Sequence, residues 1–226
     1  PTFEVQLAEE VKTKQTKDEF TILDQIDYPV YVDPKLDGLR VLCIKENGVV
    51  TLFSRNGQVF ENFPTITKAL ESFQWPFNDV VLDGEVMGED WNESQSVAFS
   101  SKSKKSDENM KLHVFDAMPL GDWVKQETKL TYAERRALVQ EMLVKHTNNW
   151  VVAVEGIEVN NENELIGYYK ECLDLGYEGI MVKDLKSNYQ FKRTKAVKKL
   201  KPVTTYEGVI SGWFMGHKNS KWEGKF

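Results

Sequence analysis

Residues 39–45 and 49–54 are apolar runs of strand length on either side of Glu46-Asn47-Gly48. An Asn-Gly pair accepts the backbone angles of a tight hairpin turn, so these two runs are predicted to pair antiparallel. Further short apolar runs at 28–32, 80–82, 112–115, 180–182 and 197–201 read as strands. Helices are fewer. Pro64 near a start, with Ile66, Leu70 and Phe73 at helical spacing, predicts one over 64–73. Thr131 with Glu134 three residues later forms a capping box, and Leu138, Met142 and Leu143 supply that helix's apolar face. A third helix is expected over 163–175, stopped at Gly176. The serine-rich stretch 91–109 has the composition of a mobile loop. Strands and helices mixed in this order predict an α+β fold of antiparallel sheets flanked by helices, not a doubly wound parallel sheet.

A chain of 226 residues is long enough for one large domain, or one domain and part of another. Its character changes after Pro202: residues 206–213 alternate like a strand and 216–224 are polar, so 204–226 is expected to open a second, truncated domain after a first one over 1–203. No apolar run has the length needed to cross a bilayer, so no membrane partner is expected. Cys43 and Cys172 fit neither a zinc pattern nor a disulfide framework, which points to a reducing cytoplasm. The net charge of −6 argues against simple coating of nucleic acid. Yet residues 186–201 carry seven basic residues and no acidic one, so a polyanion could bind one face of an acidic protein. A solvated basic strand explains that run equally well when it is taken alone.

The sharpest local pattern is Lys35-Leu36-Asp37-Gly38-Leu39-Arg40, directly after a predicted strand. By itself it also fits a surface turn built on Asp-Gly. Other short patterns follow it in order. They are Ser54-Arg55-Asn56-Gly57, Asp83-Gly84-Glu85, Phe115-Asp116, Glu178-Gly179-Ile180-Met181-Val182-Lys183 and Lys199-Leu200-Lys201-Pro202. Together they resemble the six collinear motifs of the covalent nucleotidyltransferases, the superfamily of DNA ligases, RNA ligases and mRNA capping enzymes. The likeness runs over about 33–202, with spacings similar to small phage-type ATP-dependent DNA ligases.

This resemblance implies a nucleotidyltransferase (ATP-grasp-like) domain, with 204–226 supplying the first strand of an OB-fold domain. It implies Lys35 as the nucleophile that takes up AMP. A lysine amine attacks only when neutral, and nearby cations disfavour its ammonium form. Lys183, Lys199, Lys201 and a metal ion would favour the neutral amine and also balance the charge of ATP and of the transferring phosphoryl group. Asp37 is expected to orient the lysine turn. Glu85 is expected to contact the ribose, and Glu178 and Glu85 to hold Mg²⁺ or Mn²⁺. Phe115 resembles the aromatic that stacks on the purine. Arg55 is expected near the ribose or the nick phosphate, and Arg40 near phosphate or a carboxylate. Asp33 stands where many ligases carry a glutamate that helps recognise the base. Lys192, Arg193 and Lys195 are expected to contact the DNA backbone, and the loop at 100–105 to order over bound DNA.

The implied function is that of an ATP-dependent DNA ligase acting as a monomer on nicked duplex DNA, in a bacterial or phage-infected cell. Two alternatives stay open. An mRNA capping guanylyltransferase shares the fold and the lysine, and a truncated chain could bind nucleotide or a nick while adenylylating weakly. A nicotinamide-dependent ligase also carries Lys-Leu-Asp-Gly, but Asp83-Gly84-Glu85 and Lys199-Leu200-Lys201 fit the ATP-dependent branch better. His113, His146 and His217 have no ligand spacing, and none is assigned to catalysis.

Overall fold

The computed structural model describes residues 4–16, 19–74, 79–88, 91–100, 106–146 and 148–202. The strand expected at 206–213 and residues 101–105 of the serine-lysine stretch lie outside the described residues. Along the chain, β1 (Leu7–Glu10), β2 (Thr13–Gln15) and β3 (Phe20–Ile22) precede β4 (Val30–Lys35), β5 (Leu39–Glu46), β6 (Val49–Ser54) and helix α1 (Pro64–Glu71). Then come β7 (Val80–Met87), α2 (Trp91–Ala98), β8 (Lys111–Pro119), α3 (Leu120–Lys125) and α4 (Tyr132–Lys145). Last are β9 (Val151–Ala153), β10 (Ile157–Val159), α5 (Glu162–Asp174), β11 (Gly179–Asp184) and β12 (Arg193–Leu200).

Two five-stranded sheets carry the fold, in the orders β1-β12-β11-β4-β10 and β6-β5-β7-β8-β9. The α+β reading holds. The pairing within the two sheets is antiparallel except for one parallel pair in each, β1 with β12 and β8 with β9. The β5–β6 hairpin turns at Asn47 and Gly48, whose φ angles are 51° and 82°. Both values belong to the left-handed region that Asn and Gly tolerate.

β5 explains why its sequence is a continuous apolar run and not an alternation. Val41 and Cys43 face a core shared with Ile66 and Leu70 of α1 and Val139 and Met142 of α4. Leu42 faces the other way, onto Trp123, Tyr189 and Phe191. A strand covered on both faces needs apolar side chains at every position. On the first sheet, α5 lays Leu165, Tyr169 and Cys172 against Val32, Ile180 and Val182. Asn161 caps its start by accepting the Glu164 N–H, and Gly176 beyond its end has φ 87°. The Thr131–Glu134 capping box at the head of α4 is fully formed.

The stretch expected to be a mobile loop begins as a helix, which corrects the compositional reading. α2 buries Val97 and Ala98, and Ser94 is buried with its hydroxyl accepting the Gly88 N–H at 2.8 Å. Serine disfavours helix interiors by competing for backbone bonds, and here tertiary packing overrides that preference. β1, β2, β3, β9, β10 and α3 also went unread, being short or polar. β4 is displaced from the expected 28–32, so Lys35 is its last residue. No helix among the described residues is long and apolar enough to cross a membrane.

Lys198 of β12 is anchored from behind by Asp24, 2.9 Å away. Burial pushes the Asp24 carboxyl up, but the bonds from Lys198 and the Lys12 N–H outweigh it and hold the group below its ordinary value. A lowered folded-state value contributes stability above the unfolded value of about 3.9, lost as pH falls through the folded one. In Lys198→Met protein, the Asp24 carboxyl resonance is expected to titrate at higher pH than in wild type. An unchanged midpoint would remove the ion pair from this account.

Candidate active site

A cleft of about 580 Å³ is lined by both sheets, with Asp33, Lys35 and Lys183 from the first and Arg40, Asp83, Glu85 and Phe115 from the second. Its size suits a nucleotide-sized ligand. Lys35 stands opposite Gly179 in the β4–β11 register, which brings the preceding residue, Glu178, into an ion pair with the lysine amine. The other Glu178 oxygen lies 3.5 Å from Lys201. Gly179 is required by close approach: a Cβ there would sit 2.1 Å from the Leu200 carbonyl oxygen. Gly38, in the turn after Lys35, is confined in the same way, with the Val86 carbonyl 2.5 Å from where a Cβ would be.

That turn is tied to the second sheet by Glu85, which accepts the Gly38 N–H at 2.9 Å. Burial raises the Glu85 carboxyl, opposed by the Gly38 N–H and by the charges of Lys35 and Arg40. Asp37 is exposed and is not part of the cleft wall.

Arg40 takes the carboxylate option. Its Nε and Nη2 reach the two Asp83 oxygens at 2.9 and 2.6 Å, and its Nη1 donates to the Gln6 carbonyl at 2.8 Å. The Tyr189 hydroxyl donates to Asp83 at 2.7 Å and accepts the Gln6 N–H at 3.0 Å. The fork of Arg40 is thus held by a network that joins the residue before β1 to the loop before β12. Asp83 itself is 1% exposed.

Phe115 lines the cleft beside its neighbour Asp116, although adjacent strand residues normally face opposite ways. The register gives the reason: Asp83 pairs with Asp116 and Gly84 with Val114, so Phe115 is the extra residue of a bulge. Bulges re-aim side chains in this manner. The Lys183 amine and the Arg40 guanidinium lie 5.2 and 5.6 Å from the centre of its ring.

Asp33 is buried and binds Lys183 through Oδ2 at 2.5 Å, while its Oδ1 has no partner among the described residues. Asp116 forms a two-pronged pair with Arg135, at 2.7 and 3.2 Å, and Arg135 is fully buried.

Other predicted residues divide. Arg55 and Lys199 line the cleft; Glu178 flanks it through its ion pair with Lys35, and Lys201 through its contact with Glu178. Of the three basic residues expected to meet DNA, all exposed, Arg193 reaches the cleft and donates to the Ala8 carbonyl at 2.5 Å. Lys195 lines only a second cavity of about 680 Å³, which Arg193 also borders, and Lys192 lines neither. An irregularity separates them: Thr194 pairs with Ala8 but Lys198 pairs with Glu9, so the residues between bulge out of the β1–β12 ladder.

Sequence reasoning did not single out Gln6, Asp83, Asp116, Arg135 or Tyr189 as site residues. A signal existed for two of them, since Asp83 and Asp116 each put a carboxylate next to an apolar run in a strand, after Val80-Val81-Leu82 and after Val114-Phe115.

Residues 6–201 match the family model described as the ATP dependent DNA ligase domain. A DNA ligase of Nanoarchaeum equitans is 28% identical, over 97% of this chain and 40% of its own length. A probable DNA ligase of Dictyoglomus thermophilum is 29% identical, over 82% of this chain and 34% of its own. The chain therefore spans about 40% or less of these two relatives. Among solved structures, one named Pmar-Lig_Pre. superposes with a TM-score of 0.76 at 28% identity, covering 89% of this chain and 47% of that one. The ATP-dependent DNA ligase from bacteriophage T7, in complex with ATP, gives 0.70 at 19% identity over 99% of this chain and 76% of its own, a likeness of fold.

Proposed function

The chain belongs to the ATP-dependent DNA ligase domain family, and we propose that it carries the adenylylation chemistry of a ligase that seals nicks in duplex DNA. The observation that carries this reading is Lys35 in the cleft wall, in contact with Glu178, with the cations Arg40, Lys183 and Lys199 lining the same cleft. The Lys35 amine attacks the α-phosphorus of ATP; an N–P bond forms as the P–O bond to pyrophosphate breaks. AMP then passes to the 5′-phosphate of the nick. Attack by the 3′-hydroxyl forms the phosphodiester and releases AMP. Every step is phosphoryl transfer, so positioning and charge do the work.

In this reading Phe115 offers its ring to the purine, and the unpartnered Asp33 Oδ1 accepts a hydrogen bond from the exocyclic amine of adenine. Glu85 faces the ribose while holding the Gly38 turn. Lys183, Lys199 and Lys201 supply positive charge to the phosphates. Asp37 orients the turn after Lys35, and Arg55, on the cleft wall, meets the ribose or the nick phosphate. Arg40 acts through Asp83 as much as through substrate, because its fork is already occupied.

Mg²⁺ or Mn²⁺ fits Glu178, since Mg²⁺ commonly takes one or two carboxylates together with substrate phosphates. Glu85 is the second candidate, its buried carboxyl being one that a cation would help to ionise. When bound, the ion supplies further positive charge at the phosphate oxygens.

The test is intact mass after incubation with Mg²⁺ and ATP, GTP or NAD in separate samples. A gain of one AMP from ATP alone is expected. A GMP adduct would instead assign the protein to capping chemistry.

Lys192, Arg193 and Lys195 are proposed to meet the DNA backbone as a monomer closes on its substrate. Neutralising one phosphate contributes about 0.9 to the slope of log affinity against log salt. Lys192→Gln/Lys195→Gln protein is expected to bind nicked duplex more weakly, with a slope shallower by roughly two. An unchanged slope would place the DNA elsewhere.

A further inference from the structure

Four lysines at the cleft are each paired with a carboxylate, and one of these acids has no place in the reaction above. Lys35 and Lys201 share Glu178, and Lys183 binds Asp33. Lys199 binds Glu10 of β1 at 3.1 Å. The pairing is built into the fold, because Glu10 stands opposite Lys199 in the parallel β1–β12 register. Lys199 is part of the cleft wall and Glu10 is not. The lysine side chain is 26% exposed and the glutamate 67%, so the acid approaches the amine from the solvent side.

We propose that Glu10 is the resting counter-ion of Lys199, a positioning residue that the polyphosphate of the incoming nucleotide displaces, and that it thereby sets the affinity of the cleft for ATP. This rests on the reading that Lys199 serves the nucleotide's phosphates. Glu10 touches neither the nucleophile nor the cleft, so it acts only through the lysine. The hydrogen bond and charge of Lys199, with Lys201 and Arg193 further away, keep its carboxyl below the ordinary glutamate value, so it is ionised at neutral pH. Binding a polyphosphate exchanges one anionic partner of Lys199 for another, and the free energy of the first pair is subtracted from that of the second. Removing the first partner makes binding tighter and leaves the chemical step alone.

The experiment compares wild type, Glu10→Gln and Glu10→Asp. The rate of adduct formation is followed against ATP concentration, and inorganic tripolyphosphate is titrated calorimetrically into each protein. Glu10→Gln is expected to lower KM for ATP about threefold, with kcat unchanged, and to bind tripolyphosphate tighter by a similar factor. Glu10→Asp keeps the charge and is expected to stay near wild type. The difference between wild type and Glu10→Gln should shrink as salt screens this exposed pair. Equal KM and equal tripolyphosphate affinity in wild type and Glu10→Gln would overturn the proposal. So would a rise in KM, which would make Glu10 a support that Lys199 needs. If wild type takes no AMP from ATP, the ligase reading fails instead, and the calorimetry still decides the role of Glu10.

Discussion

Lys35→Ala protein is expected to gain no mass from ATP and Mg²⁺ under conditions where the wild type gains one AMP. Alanine has no amine, and no other lysine stands at the end of β4 opposite Gly179. The adduct-forming rate should fall by at least about a thousandfold, the order expected when the nucleophile itself is removed. Lys35→Arg separates charge from chemistry. A guanidinium preserves the pairing with Glu178 but stays protonated at any working pH, so it cannot attack phosphorus. It should be as inactive as alanine while keeping the wild-type thermal midpoint. A Lys35-independent adduct, mapped to another residue by peptide mass, would sink the assignment of the nucleophile.

The second large effect is on stability. Arg135→Met should cost about 3–5 kcal/mol, since removing one partner of a buried ion pair leaves the other charge uncompensated. Arg135 holds both oxygens of Asp116 and also donates to the carbonyls of Leu130 and Ser187, at 2.7 and 3.2 Å. It thereby binds α4 to β8 and to the loop before β12. The double variant Arg135→Met/Asp116→Leu should recover most of the loss, because apolar replacements for a whole buried pair are often neutral. Urea titrations of the three proteins measure both. A cost for the single variant below about 1 kcal/mol, in the range of an exposed pair, would show that Asp116 finds other compensation.

The turn after Lys35 is legible in the sequence because its motif is local. Lys35, Asp37 and Gly38 lie within four residues of one another, although the contact that confines Gly38 comes from Val86, far along the chain. The Thr131–Glu134 cap and the Asn47-Gly48 turn were readable for the same reason, each acting within a few residues. What was not legible is what depends on distant partners. Arg40 finds Asp83 43 residues away, and Tyr189 finds Asp83 across 106. Nothing local marks Arg135 as buried, because an arginine in the first turn of a capped helix is ordinarily solvated. The Phe115 bulge is set by register between two strands, which one strand's sequence does not carry. β1 went unread because Leu7–Glu10 has no apolar pattern of its own, and it becomes a strand only against β12.

That late partnership has a consequence for how the protein is made. The Leu7 N–H bonds to the Lys192 carbonyl, and Gln6 to Tyr189 across 183 residues. A ribosome releases these segments many seconds apart, since translation proceeds at roughly 5–20 residues per second. Through that interval the first strand waits without its edge partner. The cleft lacks Lys183 until β11 has emerged, then still lacks the tyrosine that steadies Asp83, and lacks Lys199 until β12 has emerged. The second sheet, β6-β5-β7-β8-β9, needs no later strand, whereas the first cannot bring its cations Lys183 and Lys199 to the cleft wall before β11 and β12 exist. The wall of the cleft is therefore complete only once β12 has been made.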